Sequence, residues 1–146
     1  MMIVRMGILT LLLAMGCNGP FVVFPGGELD GRGEPAPESW SGMGESGTVQ
    51  LETDPSEPYS VNVAYTVLDG RLYINAGDTE TKWVKNILAD PQVRLRLKGQ
   101  VYDLRAERVT NTDEIKRFGK AWTAQSMFRR DPAELDQVWL YQLVGR

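Results

Sequence analysis

The chain has 146 residues, a formal net charge of −3, one cysteine and no histidine. Its length predicts a single domain, and an acidic balance without a basic stripe argues against a nucleic-acid partner. Without histidine, Ser-His-Asp catalysis and His-ligated metals are excluded, and no spacing typical of a calcium loop occurs. We therefore predict no metal site and expect any redox chemistry to come from an organic cofactor.

Residues 1–16 are predicted to be a signal peptide. Arg5 precedes an apolar run, 6–15, that is too short to span a membrane but typical of a secretory signal. The small residues before Cys17 resemble a bacterial lipobox, so Cys17 is predicted to carry a lipid. The lipid would anchor the protein in the bacterial cell envelope, on the periplasmic or another extracytoplasmic face. An ordinary signal peptide is the alternative.

Residues 17–47 are predicted to form a tether and then an arm laid across the domain surface. The segment holds more than half of the glycines and half of the prolines, which makes it poor material for a regular core. Leu29 and Trp40 are its isolated apolar anchors. A disordered linker is the alternative, but the apolar cluster at 21–24 favours docking on the domain.

The domain itself is predicted to span residues 48–146 and to begin with strands. The runs 48–53 and 59–68 are rich in residues that favour strands. Asp69-Gly70 between the second run and residues 71–75 is a strong hairpin signal, because both turn residues tolerate positive φ. Alternation places four side chains of the second run on one face: Val61, Val63, Tyr65 and Val67.

A short amphipathic helix is predicted next, with Asp78 or Thr79 as its N-cap. Asp90 ends the helix, because the residue before a proline is pushed out of the helical region. The predicted apolar stripe contains four residues: Trp83, Val84, Ile87 and Leu88.

Two strands, a second helix, a short third helix and a closing strand complete the pattern. The two strands are predicted at 93–97 and 101–109, and the closing strand at 138–144. The second helix is predicted to start at Asn111, with Glu114 three residues later as in a capping box, and the short third helix at 131–134. Arg94 and Arg96 are predicted on the outer face of an edge strand, and Arg129-Arg130 at the end of a helix. The short links predict an antiparallel sheet, which avoids exposed edges best by closing into a barrel.

The segment 83–93, WVKNILADPQV, resembles the W-x-x-N-L-x-A-N-P-x-V signature of deazaflavin-dependent nitroreductases and quinone reductases. Five residues match in register: Trp83, Asn86, Ala89, Pro91 and Val93. That family is similar in fold to the FMN-binding split barrels of the pyridoxamine phosphate oxidase type. The resemblance therefore implies a mainly β (α+β) fold class: an antiparallel six-stranded split β-barrel with two or three short inserted helices.

The resemblance also implies a cofactor, FMN or a deazaflavin, in a groove where the strands meet the short helix. A helix N-terminus offers free amides to an anion, to which Lys82 and Lys85 would add positive charge. The implied cofactor-binding residues are Gly77, Asp78, Thr79, Thr81, Lys82, Trp83, Lys85, Asn86 and Arg71. Family members usually pair through the barrel, so a homodimer is implied as well.

Each of these residues also has a purely structural interpretation. Trp83 is interpreted as a core anchor, and Lys82 and Lys85 as a solvated helix face. Asn86 is interpreted as a residue that pins the helix to the strand beside it. No catalytic residue is assigned, since only three tyrosines offer themselves as weak candidates for a proton donor: Tyr65, Tyr73 and Tyr102.

The chain departs from the family in one segment. Such enzymes hold the cofactor phosphate with a T-G-R-K-S-G-x-x-R-like segment before the hairpin. Here residues 53–60 read TDPSEPYS, and no lysine or arginine occurs between Arg32 and Arg71. Carboxylates at that place would repel the polyanionic tail of a deazaflavin cofactor.

Two functions therefore stay open. The first is an envelope-anchored split-barrel oxidoreductase that uses a flavin or deazaflavin to reduce a small or quinone-like acceptor, and the matching motif favours it. The second is a non-catalytic, lipid-anchored module that binds a small molecule or a protein partner without a redox cofactor. The missing cations favour the second function, as does predicted export without a twin-arginine signal, since an unfolded chain would leave its cofactor behind.

Overall fold

Six strands and two α-helices form the described part of the chain, residues 19–21 and 23–146, in this computed structural model. The predicted signal peptide and Cys17 lie outside the described residues. The elements are β1 (Ser46–Thr53), β2 (Tyr59–Leu68), β3 (Arg71–Asn75), α1 (Lys82–Ala89), β4 (Gln92–Leu97), β5 (Gln100–Arg108), α2 (Thr112–Ala124) and β6 (Leu140–Gly145). A 3₁₀ turn, Pro132–Glu134, lies between α2 and β6.

The strands close into an antiparallel barrel in the order β1-β2-β3-β6-β5-β4. The closing pair is β1 with β4, in which Leu51 lies opposite Leu95. Val63 and Tyr65 of β2 are buried in the barrel interior, as the alternation of that strand predicts. The predicted mainly β fold class, an antiparallel barrel with short inserted helices, is confirmed.

Two separate elements close the two ends of the barrel. At one end α1 inserts its apolar face, in which Val84 is fully buried. At the other end the arm inserts Trp40, whose ring meets that of Tyr102 edge-on with 5.0 Å between centroids. The Trp40 amide also donates to the Gly70 carbonyl of the β2–β3 hairpin at 2.9 Å. A ligand site is therefore to be sought at the rim of the barrel, because its ends are filled by side chains.

The arm crosses the outside of the barrel from β2 to β5. It pairs with an edge of β2 through Gly26 and with an edge of β5 through Glu34. Between these points Leu29 is buried, and its amide donates to the Glu52 carboxylate at 2.7 Å. Leu29 and Trp40 are thus both anchors, as predicted, at 1% and 4% exposure.

Two arginines on the outer face of β4 hold the arm in place. Arg94 donates to the Leu29 carbonyl at 2.9 Å and lies 3.3 Å from a Glu52 oxygen. Arg96 donates to the Asp30 carbonyl. The prediction that these arginines protect an edge strand is wrong, because β4 is paired on both sides in the closed barrel.

The second helix, α2, packs on the outside of the barrel over β2, β3 and β6. Phe118 of α2, Tyr73 of β3 and Leu140 of β6 form a second, smaller core. Asn111 caps the helix by accepting from the Glu114 amide at 3.0 Å, which confirms the predicted start. None of the helices in the described ranges is both long and apolar enough to cross a membrane.

Candidate functional site

The predicted cofactor segment begins with a tight turn between β3 and α1. Gly77 has a φ of +63°, in the left-handed region that glycine tolerates best, and a Cβ there would meet nothing within 4 Å. The Gly77 amide donates a hydrogen bond to the Asn75 side-chain oxygen at 2.8 Å. The backbones of Ala76 and Gly77 pair with that of Trp139, at 3.0 Å for each bond. The loop is thereby fixed to the chain just before β6.

The helix starts later than predicted. The Thr79 amide donates to the Ala76 carbonyl, and the Thr81 amide donates to the Thr79 carbonyl, so two further residues are used in turns. The N-cap is Thr81, and its side chain accepts none of the first helical amides. The prediction of Asp78 or Thr79 as the cap is therefore wrong. The first turn of α1 keeps amides without a side-chain cap.

The apolar face seats α1 on the barrel. Trp83 is 6% exposed, and its ring meets that of Tyr141 edge-on with 6.1 Å between centroids. Val84 and Ile87 are buried beside it, whereas Leu88 is 51% exposed. Three of the four residues in the predicted stripe face the core, and Trp83 has the role of a core anchor.

The polar face of α1 contacts the connection between β1 and β2. Lys82 places its ammonium 4.5 Å from the centroid of the Tyr59 ring. The Asn86 side-chain amide donates to the Thr53 hydroxyl at 2.9 Å, while Lys85 is exposed. These contacts agree with the structural interpretation of Asn86, which holds the helix against the end of β1.

Three polar side-chain atoms near the start of α1 are buried and have no hydrogen-bond partner among the described residues: Thr81 Oγ1, Trp139 Nε1 and Tyr141 OH. We call these residues the mouth cluster. A buried polar group without a partner costs about 1–3 kcal/mol, so such groups are uncommon in a folded protein. A set of three at one place is typical of a site that a ligand or ordered water completes.

The Tyr141 hydroxyl is buried, and the charges of Arg108 and Glu80 act on it. Burial raises its pKa, while Arg108 lowers it and Glu80 raises it. Arg108 also lies over the Trp139 ring, 4.1 Å from its centroid, and donates to the Val138 carbonyl at 3.1 Å. Tyr141 consequently keeps its proton at neutral pH and is available as a hydrogen-bond donor.

A cavity of about 370 Å³ is lined on one wall by residues 75–78 of the Gly77 loop. The segment after α2 forms its second wall, where Arg129 stacks 3.6 Å from the centroid of the Trp122 ring and Arg130 pairs with Asp78 at 3.3 Å. Because α2 ends at Ala124, the prediction that these arginines end a helix is wrong. They instead bring positive charge to the predicted cofactor segment.

Arg71 is separated from the other predicted site residues. It lies at the opposite end of β3 from Gly77, where it pairs with Glu114 of α2 at 3.5 Å. The candidate proton donors also lie elsewhere, since Tyr73 donates to Glu114 at 2.6 Å and Tyr65 donates to the Met43 carbonyl at 2.8 Å. Tyr102 packs against Trp40 at the far end of the barrel.

Sequence reasoning missed Tyr141 and Trp139. Alternation along residues 138–144 places both on one face of the closing strand. That signal does not reveal which face points inward, nor that the start of α1 lies opposite. The fold supplies that information by pairing β6 with β3, the strand that leads into α1.

A family model for F420H(2)-dependent quinone reductases matches residues 55–131, which is more than half of the chain. The chain belongs to this family. The matched region contains the Gly77 loop and all of α1, so it includes all nine implied cofactor-binding residues, Arg71 among them. It ends before Trp139 and Tyr141, so two members of the mouth cluster lie outside it.

Two solved structures of low sequence identity share the fold with this quinone reductase family member. A FAD-binding protein from Mesorhizobium loti has a TM-score of 0.51 and 19% identity, over 68% of this chain and 78% of its own. A NimC/NimA family protein from Clostridium acetobutylicum has a TM-score of 0.51 and 19% identity, over 70% and 76%. Comparison with curated proteins found no match.

The residues of this quinone reductase family member suit the ring of a deazaflavin but do not fit its anionic tail. The three buried atoms of the mouth cluster lack partners, and a carbonyl or ring nitrogen that reached them would satisfy their hydrogen bonds. In contrast, the β1–β2 turn is acidic, with Asp54 accepting from the Ser56 hydroxyl at 2.7 Å and from the Glu57 amide. No cation lies between Arg32 and Arg71.

The two arginines beside the β1–β2 turn are already engaged. They line a cavity of about 410 Å³ together with Glu28 and Glu52. Arg94 holds the arm and Glu52, and Arg146 donates to the carbonyls of Leu104 and Val93 at 3.2 and 3.1 Å. A tail with several negative charges would therefore meet carboxylates at this end of the barrel.

Proposed function

We propose that this protein binds the ring of a flavin or deazaflavin at the mouth cluster and reduces a small or quinone-like acceptor. The mouth cluster carries the proposal, because its three unpartnered polar atoms lie around the start of α1, a helix inside the region that matches the family. The carbonyl and ring-nitrogen edge of such a cofactor would satisfy them. Membership in the quinone reductase family supports the same class of reaction.

The chain itself would position the ring and exclude water. The cofactor, when bound, supplies the hydride. Tyr141 and Trp139 would each donate a hydrogen bond to the ring, and Thr81 could donate or accept. The buried Trp83 separates the site from the interior of the barrel, so solvent would reach the cofactor ring only from the protein surface. The raised pKa of Tyr141 keeps its hydroxyl protonated while it donates.

The acidic β1–β2 turn supports a preference among cofactors. We expect tighter binding of a ring with few negative charges than of one with a polyanionic tail, since Asp54 and Glu57 would repel the latter. FMN carries less charge than a deazaflavin with a polyglutamate tail. FMN should therefore bind at least as well as the family's own cofactor.

The test is a titration of the protein with FMN and with the deazaflavin, read by cofactor fluorescence. Tyr141→Phe removes one unpartnered hydroxyl and should weaken binding of either cofactor about tenfold, while the free protein keeps or gains stability. Tyr65→Phe is the matched control, because its hydroxyl lies at the other end of the barrel. Equal binding by wild type and Tyr141→Phe would contradict the proposed site.

A second candidate function is a non-catalytic module that binds a small molecule or a protein partner. It is favoured by the acidic turn and by the contacts of Lys82 and Asn86, which are used to hold α1 against the β1–β2 connection. Absence of binding of both cofactors at high concentration would support this function over the reductase.

We further propose the lipid anchor at Cys17, a location in the cell envelope, and a homodimer. Incorporation of a labelled fatty acid that disappears in Cys17→Ser would establish the anchor. Equilibrium sedimentation of the same variant would give the oligomeric state, and a monomer mass at all concentrations would contradict the dimer.

A further inference from the structure

Arg108 lies at the end of β5, beside the mouth cluster. It is directly opposite Tyr141 in the pairing of β5 with β6, so the two side chains leave the sheet on the same face. Leu104 and Ala106, at alternate positions of the same strand, are buried in the barrel core. Arg108 therefore continues the inward-facing row of β5 out to the opening of the barrel, where the residue is exposed.

The guanidinium of Arg108 is held over Trp139 without a paired carboxylate. Its Cζ atom lies 4.1 Å from the centroid of the Trp139 ring, and the group donates to the Val138 carbonyl at 3.1 Å. Among the described residues Arg108 forms no ion pair, whereas Arg105, on the outer face of the same strand, pairs with Glu107. Arg108 thus brings a positive charge to the mouth cluster that no adjacent carboxylate neutralises.

Two further features make the mouth cluster electropositive. Burial raises the pKa of Tyr141 most, and of the two charges that act on it Arg108 lowers this pKa more than Glu80 raises it. The positive charge therefore outweighs the negative one at the hydroxyl. The N-terminus of α1 reaches the cluster at Thr81, and its first turn has neither a side-chain cap nor an acidic residue. The free amides there add the positive end of the helix dipole.

The ring of a flavin or deazaflavin differs in charge between its two states. The oxidised ring is neutral, whereas a ring that has gained a hydride, which is two electrons and one proton, bears one negative charge. That charge is spread over a ring nitrogen and a carbonyl oxygen, the kinds of acceptor that Tyr141 and Trp139 would bind under the proposed function. Fixed donors and a fixed positive charge at this edge favour the anionic state.

We propose that Arg108 makes this site select the reduced, anionic ring over the oxidised, neutral ring. The inference rests on the proposed function, because it assigns a further residue to the same site. Tighter binding of the reduced ring raises the reduction potential of the bound cofactor, which then gives up its hydride less readily than the free cofactor does. The site therefore suits acceptors of high reduction potential, as quinones are, and excludes acceptors that are hard to reduce.

The test uses riboflavin, which has the ring without a phosphate, so that the acidic β1–β2 turn does not affect the result. The full chain with Cys17→Ser is titrated with oxidised riboflavin by fluorescence, and the reduction potential of the bound ring is then measured without oxygen. Wild type at Arg108 should bind the reduced ring about tenfold more tightly than the oxidised ring, which places the potential of the bound ring about 30 mV above that of free riboflavin. Arg108→Gln should lose most of this shift, and Arg108→Lys, which keeps the charge, should retain most of it.

Glu80→Gln removes the opposing charge and should enlarge the shift, a gain that damage to the fold would not produce. Arg105→Gln is the matched control and should leave the shift unchanged, because Arg105 lies on the outer face of β5 and is paired with Glu107. Equal shifts in wild type, Arg108→Gln and Arg105→Gln, with oxidised riboflavin still bound, would overturn the inference and leave the proposed function standing. Failure of both states of riboflavin to bind wild type would overturn both.

Discussion

At the scale of single residues, the polar side chains around α1 fall into two groups. Asn86 and Lys82 have partners in the β1–β2 connection, whereas Tyr141 and Trp139 are buried without partners. Removing one member of a satisfied pair leaves its partner unpaired, while removing an unpartnered atom leaves nothing behind. Substitutions of the residues with partners should therefore lower stability and leave ligand binding unchanged. Substitutions of the residues without partners should weaken ligand binding and leave stability unchanged or higher.

Asn86→Ala should lower the free energy of unfolding by about 1 kcal/mol, because it removes the bond to the Thr53 hydroxyl. A double-mutant cycle with Thr53→Val, measured by chemical denaturation, should give a coupling energy of similar size. A coupling energy near zero would show that Asn86 does not hold the helix. Cofactor binding should change little in the single variant.

Tyr73 predicts a loss of stability at high pH. Burial and the bond to Glu114 raise its pKa to about 12, above the ordinary value of 10.0. The folded state then retains a proton that the unfolded chain releases, so this contribution is complete below pH 10 and is lost between pH 10 and 12. The free energy of unfolding should fall more steeply over this range in wild type than in Tyr73→Phe, and parallel curves would refute the assignment.

At the scale of elements, α1 and the β1–β2 turn have different roles at the same end of the barrel. The helix fills the opening with Trp83, Val84 and Ile87. The turn sets the charge beside it through Asp54 and Glu57. Substitutions in the helix should thus change stability, while charge substitutions in the turn should change binding.

Trp83→Ala should reduce the free energy of unfolding by about 3–5 kcal/mol, because it leaves a cavity beside Tyr141. Leu88→Ala in the same helix is the control, and should change it by less than about 0.5 kcal/mol because Leu88 is half exposed. Equal effects of the two variants in thermal and urea unfolding would mean that α1 does not pack as described.

Charge at the turn gives a separate prediction. Ser56→Lys with Glu57→Lys replaces one neutral and one acidic residue of the turn by two basic ones, and should tighten binding of the polyanionic deazaflavin about tenfold at low salt. The same change at Glu38 and Ser39, in the arm near the other end of the barrel, is the matched control. If both double variants bind alike, or if added salt does not reduce the gain, the turn does not face the cofactor tail.

At the scale of the whole molecule, the barrel is filled from both ends by tryptophans that are distant in sequence. Trp83 comes from a helix inside the domain, and Trp40 comes from the arm that precedes it. The arm is therefore part of the folded unit, held by Arg94 and Arg96 across the outside of β4. The candidate site lies at the α1 end, away from Trp40.

Trp40→Ala should destabilise the protein by about 3–5 kcal/mol without changing cofactor affinity at temperatures where the variant stays folded. Denaturant unfolding and fluorescence titration measure the two quantities independently. A loss of affinity together with stability would indicate that the two ends of the barrel are coupled. Unchanged stability would show that the arm is not part of the folded unit.

The sequence by itself determined the strands, the position of α1, the anchors of the arm and the family likeness. These depend on local pattern: alternation within β2, the Asp69-Gly70 turn, and the spacing from Trp83 to Val93. Such signals act within about ten residues, and the barrel follows from them because antiparallel strands with short links avoid open edges. The predicted cofactor segment rests on the same local spacing, whereas Arg71 lies at the opposite end of β3 from Gly77.

Only the tertiary structure decided which groups meet at the site. Tyr141 reaches Trp83 through the pairing of β6 with β3, and Arg130 reaches Asp78 from a segment 52 residues away. The tertiary structure also shows that Arg94 and Arg96, which the sequence predicts at a sheet edge, instead donate hydrogen bonds to the arm. Which buried polar atoms keep a partner depends on contacts between distant segments, and those contacts exist only once the barrel has closed.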